Sequence, residues 1–137
     1  MELRNDLAEI SRFDERLKAF AKEAVLDERT VFALRLCGHE AITNIIHYGF
    51  PEGGNHVIEV DLQREAQVVH LQVIDNGMMF DPTAAPEPEN FETIEDAQLG
   101  GQGINLIRGF ASAVHYVRQD GLNILRIQVA IEEAPAS

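Results

Sequence analysis

Val69-His70-Leu71-Gln72-Val73-Ile74-Asp75-Asn76-Gly77 decides the fold class of this chain. Apolar and polar side chains alternate along it, the period of a strand with one buried face. The run then breaks on Asp75-Asn76-Gly77, which is turn chemistry. Just upstream, Val57-Ile58-Glu59-Val60-Asp61-Leu62 alternates in the same way. The short connection 63–67 makes the two segments a hairpin.

Further upstream the period changes from two to three and four. Leu7, Ile10, Phe13, Leu17, Phe20, Ala21 and Ala24 predict a helix over 6–26, with a short strand before it at 1–4. Asp27 is the expected N-cap of a second helix that runs to about Tyr48, and Glu28 supports its positive end. The apolar positions of that helix are Val31, Leu34, Ala41, Ile42, Ile45 and Ile46, and Gly49, Pro51, Gly53 and Gly54 end it. Cys37, near its apolar side, reads as buried packing.

Downstream of the hairpin, residues 81–98 hold three of the five prolines, six acidic residues and no Lys or Arg. A connection of that length in a small domain is a functional lid or a disordered segment. Leu99-Gly100-Gly101-Gln102-Gly103 then opens a helix carrying Ile104, Ile107, Phe110 and Ala111. Residues 115–118 and 124–131 read as strands turned at Asp120-Gly121, and 132–137 as a frayed tail. The order of parts predicts one α+β domain over 1–137, a mostly antiparallel sheet with helices on one face.

Composition removes several classes of function. The 137 residues carry 11 Lys+Arg against 23 Asp+Glu, a formal net charge of −12. That balance argues against nucleic acid as the main partner, because phosphate binding of that kind needs clustered cations. It leaves room for a small anionic ligand held by backbone amides. A single cysteine excludes an intramolecular disulfide and a Cys-rich zinc site. No apolar run approaches the roughly 20 residues of a membrane span. Without an N-terminal apolar h-region, no signal peptide is expected, and the expected location is the cytoplasm.

Three constellations carry chemistry. Glu40, Asn44 and His47 share one helical stripe. The carboxylate could accept a proton, and carboxylate and amide together could bind hydrated Mg²⁺ with its phosphates. Taken alone, the trio reads equally as a solvated polar stripe. Asp75 stands at a strand end, where it could accept a hydrogen bond from an exocyclic amine. Gly77 would let the backbone come close to a flat ligand. Taken alone, this is a strand-ending turn. Gly100, Gly101 and Gly103 precede a helix, where freed amides and the helix terminus bind phosphate without Lys or Arg. Taken alone, they are a hinge. They fit neither a Walker A loop nor a dinucleotide fingerprint.

The order of these parts is more specific than any one of them. The carrying stretches are His39-Glu40-Ala41-Ile42-Thr43-Asn44-Ile45-Ile46-His47, Val73-Ile74-Asp75-Asn76-Gly77 with Phe80-Asp81-Pro82, and 100–106. On these, the chain from Leu3 to about Val129 resembles the GHKL (Bergerat) ATP-binding fold, a two-layer α/β sandwich found in gyrase, histidine kinases and MutL. Within it, the chain looks most like the stand-alone anti-sigma factor serine/threonine kinases of bacterial partner switches.

The resemblance implies a role for each matching residue. Glu40 would be the general base and Asn44 the Mg²⁺ ligand. Asp75 would recognise the adenine amino group of ATP, with Gly77 beside the base. Gly101 and Gly103 would contact phosphate, Gly100 would hinge an ATP lid at 81–99, and His47 would be structural. The chain departs from the family at three points. Met79 stands where a second glycine of Asp-x-Gly-x-Gly is usual. Asn123 stands near the adenine pocket where many relatives have Thr. The lid lacks a basic residue, and Arg108 is the nearest one. The implied activity is transfer of phosphate from Mg²⁺-ATP to a serine or threonine of a STAS-domain anti-anti-sigma partner, releasing a sequestered sigma factor or other regulator. The alternative is a nucleotide-gated protein-binding module of the same fold. A homodimer is also expected, with an exposed apolar face of the first helix as one candidate surface.

Overall fold

The computed structural model describes residues 1–79 and 107–131. The 81–99 segment, Gly100, Gly101, Gly103 and the 132–137 tail lie outside the described residues. Among the described residues, five strands form one antiparallel sheet: β1 (Glu2–Arg4), β2 (Val57–Glu65), β3 (Val68–Asp75), β4 (Ala113–Gln119) and β5 (Leu122–Ala130), in the order β1-β2-β3-β5-β4. Among the described residues, α1 (Ile10–Ala24) and α2 (Glu28–Tyr48) supply most of the second layer. The α+β class expected from the alternating segments holds.

Inward-facing strand positions build the core. Ile58, Val60 and Leu62 on β2, Val69, Leu71 and Val73 on β3, and Leu125, Ile127 and Val129 on β5 are all buried. The helices answer with Phe13, Leu17 and Phe20 from α1 and Ala33, Leu34, Cys37, Ala41 and Ile42 from α2. The apolar face of α1 is therefore covered by its own domain. That corrects the expectation of an exposed apolar face there: the face is spent on the core.

The two helices meet closely at Gly38. A Cβ built there would lie 2.2 Å from Cζ of Phe13, so the ring occupies the space a side chain would need. A hydrogen bond and an ion pair brace the same crossing. His39 Nε2 lies 2.6 Å from Asp14 Oδ1, and Arg35 Nε lies 3.4 Å from it.

Several boundaries differ from the sequence expectation. The first turn of the predicted first helix is a 3₁₀ turn at Leu7–Glu9, because the Asp6 carboxylate accepts from the Ala8 amide and caps a separate start. Asp27 caps α2 as expected, accepting from the Thr30 amide. The strands β2 and β3 run to Glu65 and from Val68, so the connection between them is two residues, not five. Ala66 takes φ 54°, which lets so short a turn close. The Asp120-Gly121 turn stands as expected, with φ 53° and 77°.

Candidate functional site

Alternation along β3 puts Asp75 in phase with Val69, Leu71 and Val73, so the carboxylate points into the core layer. The same phase puts Asn123 inward with Leu125 and Ile127 on β5. Register then sets Asp75 directly opposite Asn123. Both are buried, at 4% and 5% exposure, at the end of the sheet where the apolar core stops.

Their hydrogen bonds form one network. Asp75 Oδ1 accepts from the Gly77 amide at 2.8 Å and from Asn123 Nδ2 at 3.0 Å. Asn123 Nδ2 also donates to the Met78 carbonyl at 3.0 Å. Asn123 Oδ1 accepts from Arg118 Nη1 at 3.0 Å and from the Tyr116 hydroxyl. Arg118 Nη1 donates to the Gly77 carbonyl at 2.7 Å. Burial pushes the Asp75 carboxyl above its ordinary range, while Asn123, Gly77 and the Arg118 charge pull it back.

The turn after β3 is seated on the end of α2. The Met78 amide donates to the Gly49 carbonyl at 2.7 Å. A Cβ on Gly77 would stand 2.5 Å from that same carbonyl oxygen, so no other residue fits there without displacing the turn. This contact brings the start of the turn and the last turns of α2 to one place.

Between them lies a pocket of about 330 Å³, open mouth included. Ala41, Asn44 and Ile45 line it from α2, Asp75 from β3, Tyr116 from β4, Asn123 and Leu125 from β5, and Ile107 from the short helix at 107–110. Aliphatic walls and a few convergent polar groups are the make-up of a small-molecule site. A flat heterocycle would find Ile45, Ile107 and Leu125 for its faces and the Asp75 carboxylate for an exocyclic amine. Asn44 supplies an amide oxygen of the type Mg²⁺ accepts. The residues present therefore fit a nucleotide with its metal.

The structure brings Asn44, Asp75 and Asn123 together around this pocket, with Gly77 in the adjoining turn. It does not put Glu40 there. Glu40 lies one turn earlier on α2 and lines a neighbouring groove with Phe32, Arg35, Leu36 and His39. His47 is exposed, its ring 6.2 Å from that of Tyr48. Arg108 is exposed on the short helix at 107–110, whose Ile107 is buried and whose Phe110 meets Phe32 edge-on at 5.7 Å. Tyr116 and Arg118 were not read from sequence. Their part depends on the register Arg118↔Asn123, which no local pattern reveals.

A family model described as a histidine kinase-like ATPase domain matches residues 3–129. The serine/threonine-protein kinase BtrW of Bordetella bronchiseptica is 39% identical over 99 residues, 72% of this chain and 70% of that protein. Among solved structures, the blue-light activated histidine kinase of Erythrobacter litoralis EL346 superposes with a TM-score of 0.57 at 17% identity; the match covers 77% of this chain but only 32% of that one. The histidine kinase AdeS of Acinetobacter baumannii gives 0.51 at 14% identity, over 97% of this chain and 68% of that one. At such identities the structural likeness is one of fold. With the match running along nearly the whole length, this chain belongs to the histidine kinase-like ATPase domain family.

Proposed function

We propose that this chain binds Mg²⁺-ATP and phosphorylates a serine or threonine on a STAS-domain anti-anti-sigma protein, and so switches the release of a sigma factor or similar regulator. The observation that carries the reading is the buried Asp75 carboxylate, aimed into an apolar pocket that Asn44 also lines. Similarity to a serine/threonine-protein kinase supports the transfer step.

In this reading each described residue has one task. Asp75 accepts a hydrogen bond from the adenine amino group, and Ile45, Ile107 and Leu125 enclose the base. Asn44 holds Mg²⁺, which when bound neutralises phosphate charge that an acidic protein cannot neutralise with its own cations. Glu40 stands clear of the base pocket, in a groove open to solvent, where a protein hydroxyl can reach it. It takes the proton from that hydroxyl as the oxygen bonds to the γ-phosphorus of ATP and the bond from that phosphorus to the bridging oxygen breaks, releasing ADP.

The test is phosphate transfer to a cognate STAS protein, read as phosphoserine or phosphothreonine by mass spectrometry. Glu40→Gln is expected to slow transfer by about 10²–10⁴-fold, the range of a general base, while nucleotide binding holds. Undiminished transfer by Glu40→Gln takes the base role from Glu40. A stoichiometric complex with no modified residue after hours, by the parent protein, makes the chain a nucleotide-gated binding module instead.

A further inference from the structure

We propose that Arg118, acting through Asn123, is a positioning residue for base recognition: it locks the Asn123 amide, and the locked amide fixes Asp75 as a pure acceptor facing the pocket. This rests on the nucleotide reading of that pocket.

The orientation of Asn123 is forced by chemistry. A guanidinium has donors and no acceptor, so the side of the amide that meets Arg118 Nη1 at 3.0 Å must be the oxygen. The Tyr116 hydroxyl donates to the same oxygen. The amide nitrogen is thereby turned toward Asp75 Oδ1 and the Met78 carbonyl, both at 3.0 Å. A flipped amide would set its carbonyl against a carboxylate and a carbonyl, three acceptors with no proton between them.

With the amide locked, Asp75 Oδ1 is saturated by Asn123 Nδ2 and the Gly77 amide. The remaining oxygen offers only acceptance. A purine with a 6-amino group satisfies it. A 6-oxo purine presents an acceptor to an acceptor and is refused. Arg118 does this from outside the pocket: it is exposed on edge strand β4 and lines no part of the cavity. Its second bond, to the Gly77 carbonyl at 2.7 Å, ties the same turn to β4. Selectivity inside the cavity is thus set by a side chain that a ligand never touches.

Calorimetric titration with ATP and with its 6-oxo analogue ITP, both with Mg²⁺, tests this on the parent, Arg118→Met, Arg118→Lys and Asn123→Asp. Arg118→Met is expected to weaken ATP by about tenfold, the scale of one lost charge-assisted hydrogen bond. It should lower the ATP-over-ITP preference by a similar factor, with a melting temperature close to the parent's. Arg118→Lys keeps a cationic donor and should recover part of the preference. Asn123→Asp faces Asp75 with a second carboxylate and should abolish it. An unchanged preference in Arg118→Met overturns the inference, whether ATP affinity holds or falls equally for both nucleotides, and leaves the base site standing. A parent that binds neither nucleotide at millimolar concentration overturns the nucleotide reading and this inference with it. If Asn123→Asp does not fold, Arg118→Met decides.

Discussion

Asp75 combines burial with a charge, and its protonation can be followed from outside. Burial holds its native pKa above the unfolded value, taken as 3.8. Between those two values the native state binds more protons than the unfolded chain. Stability therefore falls as pH rises through that window. Asp75→Asn removes the effect, since the amide oxygen can still accept from Gly77 and Asn123. Scanning calorimetry from pH 4 to 7 should show the parent losing stability across the window and the variant not. At pH 7 the variant should melt no lower than the parent. Its ATP affinity should nonetheless drop by roughly ten- to a hundredfold, because with the oxygen held by Gly77 and Asn123 the amide nitrogen faces the pocket, a donor meeting the amino donor. A variant that binds as well as the parent would remove Asp75 from base recognition. In the parent, ATP binding should weaken on acidification at a higher pH than an ordinary carboxylate would dictate, since protonation turns the pocket-facing oxygen into a donor.

At the scale of elements, the crossing of α1 on α2 depends on one missing side chain. Helix propensity alone favours Ala over Gly at position 38 by about 1 kcal/mol. The Phe13 ring is fully buried, however, and the new Cβ would sit 2.2 Å from it. The overlap outweighs the propensity, because a close-packed core gives the ring nowhere to go. Gly38→Ala is expected to destabilise by about 1–3 kcal/mol net, a fall of several degrees in melting temperature. Phe13→Leu in the same chain should recover part of it. A double-mutant cycle reads this as a coupling energy, and additivity would place the strain elsewhere. Both helices and the α2 cap at Asp27 were legible in sequence because amphipathic period and capping are local. The closeness of Gly38 to Phe13 was not, because residues 25 apart meet only once the helices cross.

At the scale of the whole molecule, the formal net charge of −12 acts on every contact. Like charges repel most when the chain is compact, and salt screens them over about 10 Å at 0.1 M. Melting temperature without nucleotide is expected to rise between 0.02 and 0.5 M NaCl. A flat response would mean that local pairs such as Arg12–Glu9 and Arg35–Asp14 already offset the excess. On the proposed reading, the same charge makes a metal ion, rather than Lys or Arg, the fitting means of holding phosphate.

By itself the sequence determined the α+β class, the helices and the strand hairpins, and only its resemblance to a known family joined Asn44 and Asp75. Those follow from periodicity and from the order of short motifs, both carried along the chain. Tertiary structure decided what depends on meeting across it. The register Asp75↔Asn123↔Arg118 converts three separate polar residues into one network. The seating of Gly77 on Gly49 joins β3 to α2 at the pocket. Burial of the α1 apolar face commits it to the core, and Glu40 opens into a groove of its own beside the Asp75 pocket. A hydrogen bond or a cavity needs two sides, and only folding supplies the second.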